Sequence, residues 1–256
     1  MPPRIGALLA LLMVAVLMSG CGYFSSPQNI FAPKGEVAHD QKHLFLITMW
    51  PALAVMILVE VGLLYICIRY RRKKSDTGLP AQTHGNNTLE VGWTVAPIIL
   101  LAFFIAPTIG GIIDLGRTPK NSLRVDVTAV QWAWQFSYAN PAGGAPIAGN
   151  FGDPLHIPID KTIDIQLHSD NVIHSFWVPK LAGKTDVIPG RANHMWIKGT
   201  DIGEYSGQCA EFCGRDHFNM RFSVVVEAQS DYDAWLTAQA SAQRSGSDPA
   251  LAFHGE

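Results

Sequence analysis

The stretch Leu123-Arg-Val-Asp-Val-Thr-Ala-Val130 alternates apolar and polar residues, which is the period of a β-strand with one buried face. The same alternation returns at residues 162–167 and, less regularly, at 221–226. Turn-forming residues such as those at 139–144 separate these segments. Several short strands within about a hundred residues predict a β-sandwich or β-barrel. A short helix at 231–242 and a tail of small and polar residues are expected to follow.

Upstream of the strands, two apolar stretches are long enough to cross a membrane. Residues 44–68 contain one charge, Glu60, and residues 91–113 contain none, whereas a span needs about 20 apolar residues. The chain is 48% hydrophobic with a mean hydropathy of +0.15, which is typical of a protein that is part membrane-embedded and part water-exposed. We therefore expect a transmembrane helical hairpin, and a buried hairpin in a soluble protein is the alternative.

The loop between the two stretches predicts their orientation. Arg69-Tyr-Arg-Arg-Lys-Lys74 carries five positive charges in six positions, and short loops rich in Lys and Arg stay on the cytoplasmic side. The mature N-terminus and the large C-terminal part are then expected outside. A formal net charge of -2 gives no indication of a nucleic-acid partner.

The N-terminus has the pattern of a secretory signal. Arg4 precedes an apolar run at 5–18, and Ser19-Gly20-Cys21 follows. That ending resembles the bacterial lipoprotein pattern, in which the Cys is acylated and becomes the new N-terminus. Ordinary cleavage and a retained anchor helix are the alternatives. The expected organisation is a signal peptide at 1–20, a membrane domain at 21–121, a β-domain at 122–229 and a helix with a tail at 230–256.

A cluster of soft metal donors lies near the end of the β-domain. The run is Cys209-Ala-Glu-Phe-Cys213-Gly-Arg-Asp-His217-Phe-Asn-Met220, and His174 lies upstream. Thiolate, imidazole and thioether favour copper over magnesium, calcium or manganese. The spacing alone leaves two alternatives open: a disulfide between the cysteines, and a closed zinc site of two Cys and two His.

The flanking sequence resembles subunit II of the haem-copper cytochrome c oxidases. The resemblance extends from the first apolar stretch to about Val226, and four segments carry it: Gln131-Trp-Ala-Trp134, Val172-Ile-His-Ser-Phe-Trp-Val-Pro179, Gly183-Lys-Thr-Asp-Val-Ile-Pro-Gly-Arg191 and Gly207-Gln-Cys-Ala-Glu-Phe-Cys-Gly214. It implies two transmembrane helices followed by a cupredoxin-like Greek-key sandwich. His174 would then lie on a loop after one strand, with the Cys/His/Met run in the loop before the last strand.

The resemblance also implies a ligand set for a dinuclear copper centre, CuA. Cys209 and Cys213 would bridge two coppers, and His174 and His217 would each bind one. Met220 would be a weak thioether ligand. Glu211 would contribute its backbone carbonyl to copper and its side chain to a Mg²⁺ shared with subunit I.

Two further residues acquire roles through the resemblance. Trp132 matches the residue that receives the electron from cytochrome c, although Ala133 departs from the aromatic residue usual beside it; a packed sandwich tryptophan is the alternative. Glu90 matches a glutamate at the cytoplasmic mouth of a proton pathway into subunit I; a solvated interfacial glutamate is the alternative. Residues 122–227 contain eight Lys and Arg against eleven Asp and Glu, a mildly acidic balance compatible with a basic cytochrome c.

The expected function is that of subunit II of a proton-pumping cytochrome c oxidase in the bacterial inner membrane, a multi-pass protein with its C-terminal domain on the periplasmic side. It would pass electrons from cytochrome c to haem in subunit I, with subunit III as a further partner. The resemblance implies that haem lies only in the partner subunit. Some relatives carry an additional cytochrome c domain, but the Cys-x-x-Cys-His sequence that attaches its haem is absent here. The alternatives are a quinol-oxidase subunit II, which lacks the copper ligands, and a copper-delivery or copper-sensing membrane protein.

Overall fold

The structure is a computed structural model that describes residues 6, 11–15, 26–73, 78, 82, 84–141 and 143–246. It forms two compact units. One is the helical unit His39–Lys120, and the other combines residues 1–38 with 121–256. We call the second unit the outer domain.

The helical unit contains most of α1, Glu36–Arg69, and all of α2, Asn87–Leu115. Both helices extend beyond the predicted spans at each end. The Asn86 side chain accepts a hydrogen bond from the Leu89 amide and so caps α2. The most apolar window of each helix has no buried residue. The structure therefore favours membrane spans over a hairpin buried inside a soluble protein.

The outer domain is a sandwich of two five-stranded sheets. The strands are β1 Leu123–Val130, β2 Ala133–Tyr138, β3 Ile147–Ala148, β4 Leu155–Pro158, β5 Ile163–Ser169, β6 His174–Trp177, β7 Lys184–Val187, β8 Asn193–Ile197, β9 Gly203–Cys209 and β10 Arg221–Glu227. One sheet has the order β3-β2-β1-β5-β8 and the other β4-β10-β9-β6-β7. The predicted all-β sandwich is confirmed, and its first predicted strand has the same bounds in the structure.

The alternation seen in the sequence fills the space between the sheets. In β1 the buried residues are Val125, Val127 and Ala129, and β5 pairs with β1 in parallel with its own alternate residues buried. β9 and β10 form an antiparallel pair on the opposite sheet. This pair matters for function because the loop that joins it carries most of the predicted metal donors.

The residues around the start of α1 pack against the strands and loops of the outer domain. We call residues Lys34–Ala38 the N-terminal strap. The Lys34 and Ala38 amides donate to the carbonyls of Lys180 and Leu181, and the Glu36 amide donates to the Lys198 carbonyl at 3.0 Å. Sequence patterns did not indicate this strap, because its partners lie far away along the chain.

The C-terminal helix α3, Gln229–Arg244, contains the predicted helix and exceeds it by two residues at each end. Tyr232 and Leu236 are its buried residues. Trp235 stacks on His156 with ring centroids 4.2 Å apart, and His156 Nδ1 lies 2.9 Å from Glu227 Oε1. These contacts fix α3 on the sheet that contains β4 and β10.

Candidate metal centre

The loop between β9 and β10 folds back on itself to bring its donors together. Cys209 is the last residue of β9, and its amide donates to the Met220 carbonyl at 2.9 Å, which closes the base of the loop. Within the loop, His217 begins a 3₁₀ turn that ends at Asn219. Cys213 and Met220 are buried and His217 is half-buried.

His174 approaches the same loop from the neighbouring strand. It is the first residue of β6, so the prediction that it lies on a loop was wrong by one position; the loop ends at Ile173. β6 pairs with β9, with Phe176 opposite Cys209. The Ala210 amide donates to the Ser175 carbonyl at 2.9 Å. Strand pairing therefore places His174 beside the first cysteine.

The donor atoms converge within short distances. Cys209 Sγ lies 3.8 Å from Cys213 Sγ and 3.9 Å from His174 Nδ1. Cys213 Sγ lies 3.5 Å from His217 Nδ1 and 3.7 Å from Met220 Sδ. The structure thus brings together all five predicted side-chain ligands.

These distances fit metal bridging and exclude a disulfide. A disulfide requires sulfurs about 2.05 Å apart, and both cysteines are free. A metal–thiolate bond is about 2.3 Å and a metal–imidazole bond about 2.0 Å. A metal between two sulfurs 3.8 Å apart can therefore bind both of them, and the ligand atoms of His174, Cys209 and Cys213 all lie within 4.8 Å of one another.

Burial favours the neutral forms of Cys213 and His174 when no metal is bound. It raises the pKa of the Cys213 thiol to about 12, with a further contribution from Cys209. Burial also lowers the pKa of His174, and the neighbouring His217 adds to this effect. Because thiolates and neutral imidazoles are the ligating forms, metal binding must displace protons from the cysteines and is favoured as pH rises.

The backbone carbonyl and the side-chain carboxylate of Glu211 have different surroundings. Its backbone carbonyl lies 3.2 Å from Cys209 Sγ, which places that oxygen beside the sulfur pair. Its side chain is exposed. The carbonyl is thus available to a metal in the cluster, and the carboxylate is available to a ligand outside the domain.

Trp132 is half-buried and contacts the metal loop directly. Its indole Nε1 donates to the Cys213 carbonyl at 3.3 Å, and Gln131 Nε2 donates to the same oxygen at 2.7 Å. Gly214 has a φ of +121°, and a Cβ there would lie 3.2 Å from Trp132 Cζ2. The close approach of this loop to Trp132 therefore depends on glycine.

The second tryptophan of the motif, Trp134, is a core residue. It packs against the His174 ring at a centroid distance of 6.0 Å and against Phe176 at 5.6 Å. The two tryptophans thus have different environments, since Trp132 is half-buried and Trp134 is buried. The alternation of residues along β2 could have indicated that Trp134 is buried, since it shares the buried face of the strand with Phe136.

Two predicted residues lie apart from this cluster. Glu90 is exposed in the first turn of α2, in the helical unit. Cys21, with the whole predicted signal-peptide boundary, lies outside the described residues. Sequence reasoning missed Asn171 and Gln131, whose side chains contact His174 and the Cys213 carbonyl; neither belongs to a ligand pattern that spacing could reveal.

Comparison with known proteins identifies the family. Residues 29–109 match the family model of the cytochrome c oxidase subunit II transmembrane domain, and residues 147–229 match that of its periplasmic domain. Together the two matches cover more than half of the chain.

Three curated relatives illustrate the range of the family. Cytochrome c oxidase subunit 2 of Alkalihalophilus pseudofirmus is 37% identical over 89% of this chain, which spans 66% of that relative. The protein of the same name from Bacillus subtilis is 30% identical over 97% of this chain and 72% of its own length. Quinol oxidase subunit 2 of Bacillus spizizenii is 32% identical over 89% of this chain and 70% of its own length. With its two apolar helices, its β-sandwich and its cluster of thiol and imidazole donors, this chain belongs to the cytochrome c oxidase subunit II family of the haem-copper oxidases.

Proposed function

We propose that this chain is the electron-entry subunit of a cytochrome c oxidase, with a dinuclear copper centre held by His174, Cys209, Cys213, His217 and Met220. One observation carries the proposal: two free buried thiols 3.8 Å apart, each beside the Nδ1 atom of a different histidine. Two shared thiolates with one imidazole at each end offer two metal positions. When bound, such a centre supplies a one-electron relay between cytochrome c and haem.

The arrangement of the histidines supports two metals over one zinc. The ligand atoms of His174 and the two cysteines form a compact group, and His217 is not a member of it. In a tetrahedral zinc site with bonds of about 2.0–2.3 Å, all four donor atoms lie within about 4 Å of one another. The Met220 thioether beside Cys213 adds a soft donor that copper accepts more readily than zinc.

A quinol oxidase is the second candidate, because relatives with that name match this chain at 32% identity. The complete ligand set argues against it, since a quinol-oxidase subunit II of the kind described above lacks the copper ligands. Electrons would then have to reach subunit I without this centre, and the converged donors would have no use.

A copper-delivery or copper-sensing protein is a candidate from another class. Such a protein needs reversible, exposed ligands, whereas His174, Cys209, Cys213 and Met220 are all buried here. Copper delivery also gives no reason for Trp132 to contact the carbonyl of a ligand residue. Burial and this contact both favour a resident electron carrier.

Within the proposed function, Trp132 is the point where the electron enters. Its half-buried ring lies between solvent and Cys213, and its Nε1–H hydrogen bond connects the indole to a ligand residue. The exposed Glu211 carboxylate would bind Mg²⁺ at the contact with subunit I. Subunit III completes the expected membrane partners, and haem stays in subunit I.

In the membrane we propose that both helices of this chain cross the bacterial inner membrane with the basic 69–74 loop in the cytoplasm. The outer domain then lies on the periplasmic side, where Cys21 would be acylated after removal of residues 1–20. Glu90, near the start of α2, would lie at the cytoplasmic face and collect protons for subunit I.

The test is to load the full-length chain with copper and record its absorption and electron paramagnetic resonance spectra. We expect two coppers per chain, strong thiolate charge-transfer bands and a mixed-valence signal shared by two metals. Cys209→Ser and Cys213→Ser should each abolish that signal, because the bridge needs two sulfurs. One copper per chain with an ordinary type 2 spectrum would contradict the proposal.

A further inference from the structure

The His174 ring is held from both sides. Nδ1 faces Cys209 Sγ at 3.9 Å, and Nε2 lies 3.1 Å from Asn171 Oδ1. The Val172 amide donates to the same Oδ1 at 2.7 Å, which identifies that atom as the amide oxygen. Because an amide oxygen is an acceptor only, Nε2 carries the proton and Nδ1 presents its lone pair toward the sulfur.

Asn171 is itself fixed by the loop that precedes β6. The Asn171 backbone N–H donates to Ser169 Oγ at 3.4 Å, and the Ser169 hydroxyl donates to the Val172 carbonyl at 2.5 Å. These hydrogen bonds, together with the one from the Val172 backbone N–H to Asn171 Oδ1, hold the Asn171 side chain toward His174. The acceptor is thus placed before any metal binds.

The second histidine lacks such support. His217 is half-buried on the 3₁₀ turn, and its Nδ1 faces Cys213 Sγ. Among the described residues, no hydrogen bond to its Nε2 is found. His174, by contrast, has no exposed surface. The two imidazole donors therefore differ in how firmly the protein orients them.

We propose that Asn171 is the positioning residue of the metal centre: its amide oxygen fixes the tautomer and ring orientation of His174. The proposal rests on the copper function proposed above and goes beyond it by adding a residue that contacts no metal. Acceptors behind a metal-bound imidazole raise its basicity, and their removal costs about 10- to 100-fold in metal affinity. A neutral amide polarises the ring less than a carboxylate does.

Three variants of the full-length, copper-loaded chain test this role. Asn171→Ala removes the acceptor, Asn171→Asp keeps the acceptor and adds charge, and Asn219→Ala is the matched control. Asn219 is an exposed asparagine of the metal loop, next to Met220. For each we would measure copper affinity by competition with a chelator, the reduction potential, and the imidazole hyperfine couplings of the copper spectrum.

For Asn171→Ala we expect copper affinity to fall by about 10- to 100-fold, with altered couplings from one histidine. Asn171→Asp should retain the affinity and lower the reduction potential, because a more basic imidazole favours the oxidised metals. Asn219→Ala should match the wild type. A purely structural role would lower the unfolding temperature of metal-free Asn171→Ala without moving the potential of Asn171→Asp.

The outcomes separate this inference from the function on which it rests. A wild-type chain that shows no two-copper signal refutes the proposed function. A wild-type chain with that signal, together with unchanged affinity in Asn171→Ala or an unchanged potential in Asn171→Asp, overturns the role of Asn171 alone.

Discussion

The outer domain and the helical unit bury their apolar residues in different places. In the sandwich, Phe176, Leu155 and Ile165 have no exposed surface, so the domain covers its own core. In the helices, the most apolar windows have no buried residue, and side chains such as Phe103 are 62% exposed. Lipid or partner subunits must cover them. The candidate metal centre thus lies in the region whose geometry the chain determines by itself.

The largest contrast is expected for one substitution made in both regions. Phe176→Ala removes a ring that stacks on Phe222 at 4.7 Å and packs against Trp134, which should cost about 3–5 kcal/mol of outer-domain stability. Phe103→Ala should change the unfolding of the same domain by less than about 0.5 kcal/mol. Denaturant unfolding of the detergent-solubilised chain, followed by near-ultraviolet circular dichroism, measures both. Equal losses would show that the two regions do not unfold independently.

A smaller contrast is expected for glycine. A Cβ on Gly35 of the strap would lie 2.6 Å from the Leu181 carbonyl oxygen and 2.9 Å from that of Lys198, whereas a Cβ on Gly92 in α2 would meet nothing within 4 Å. Backbone atoms cannot move aside as a side chain can. We expect Gly35→Ala to destabilise the outer domain by about 1–3 kcal/mol and Gly92→Ala to leave its unfolding midpoint unchanged. A stable Gly35→Ala variant would mean that the strap detaches without cost to the sandwich.

Prediction from sequence succeeded where the pattern was local. The alternation at 123–130 gave the bounds of β1, and the apolar stretches lay within α1 and α2. The spacing of the metal loop indicated donors that the structure brings together. In each case, the determining residues are close in the chain, so their period or spacing carries the information.

Prediction failed where the contacts join distant segments. The Lys34 backbone N–H of the strap donates to the Lys180 carbonyl, and the Gln131 side chain donates to the Cys213 carbonyl. No sequence period or motif connects the two residues of either pair. The Asn171–His174 contact is local, but asparagine before a strand is ordinarily a turn residue. The resemblance implied a loop position for His174, whereas in the structure this residue begins a strand of only four residues.

The two regions should also differ in the step of turnover that each one controls. Trp132→Ala in the outer domain should slow electron entry from reduced cytochrome c by about tenfold, or about 1.4 kcal/mol of barrier, because the ring in contact with Cys213 is lost. The copper spectrum should persist, since Trp132 is not a ligand. Gln131→Ala is the matched control: it removes the other hydrogen bond to the same carbonyl but no ring. Stopped-flow reduction of the purified oxidase would measure entry, and equal rates in all three enzymes would exclude the role of Trp132.

The smallest expected effect lies in the helical unit. If Glu90 collects protons, Glu90→Gln should lower oxygen-reduction turnover several-fold, because an amide cannot release a proton to the pathway. Electron transfer from cytochrome c to copper should keep its wild-type rate, since the metal donors belong to the other unit. Glu60→Gln is the matched control, a carboxylate of α1 for which no proton route is expected. Turnover must be divided by haem content, because a structural glutamate would reduce the amount of assembled complex and leave each complex fully active. Normal turnover per haem in Glu90→Gln would end the proton-entry hypothesis, and an equal loss in Glu60→Gln would assign the defect to removal of any carboxylate from the helical unit.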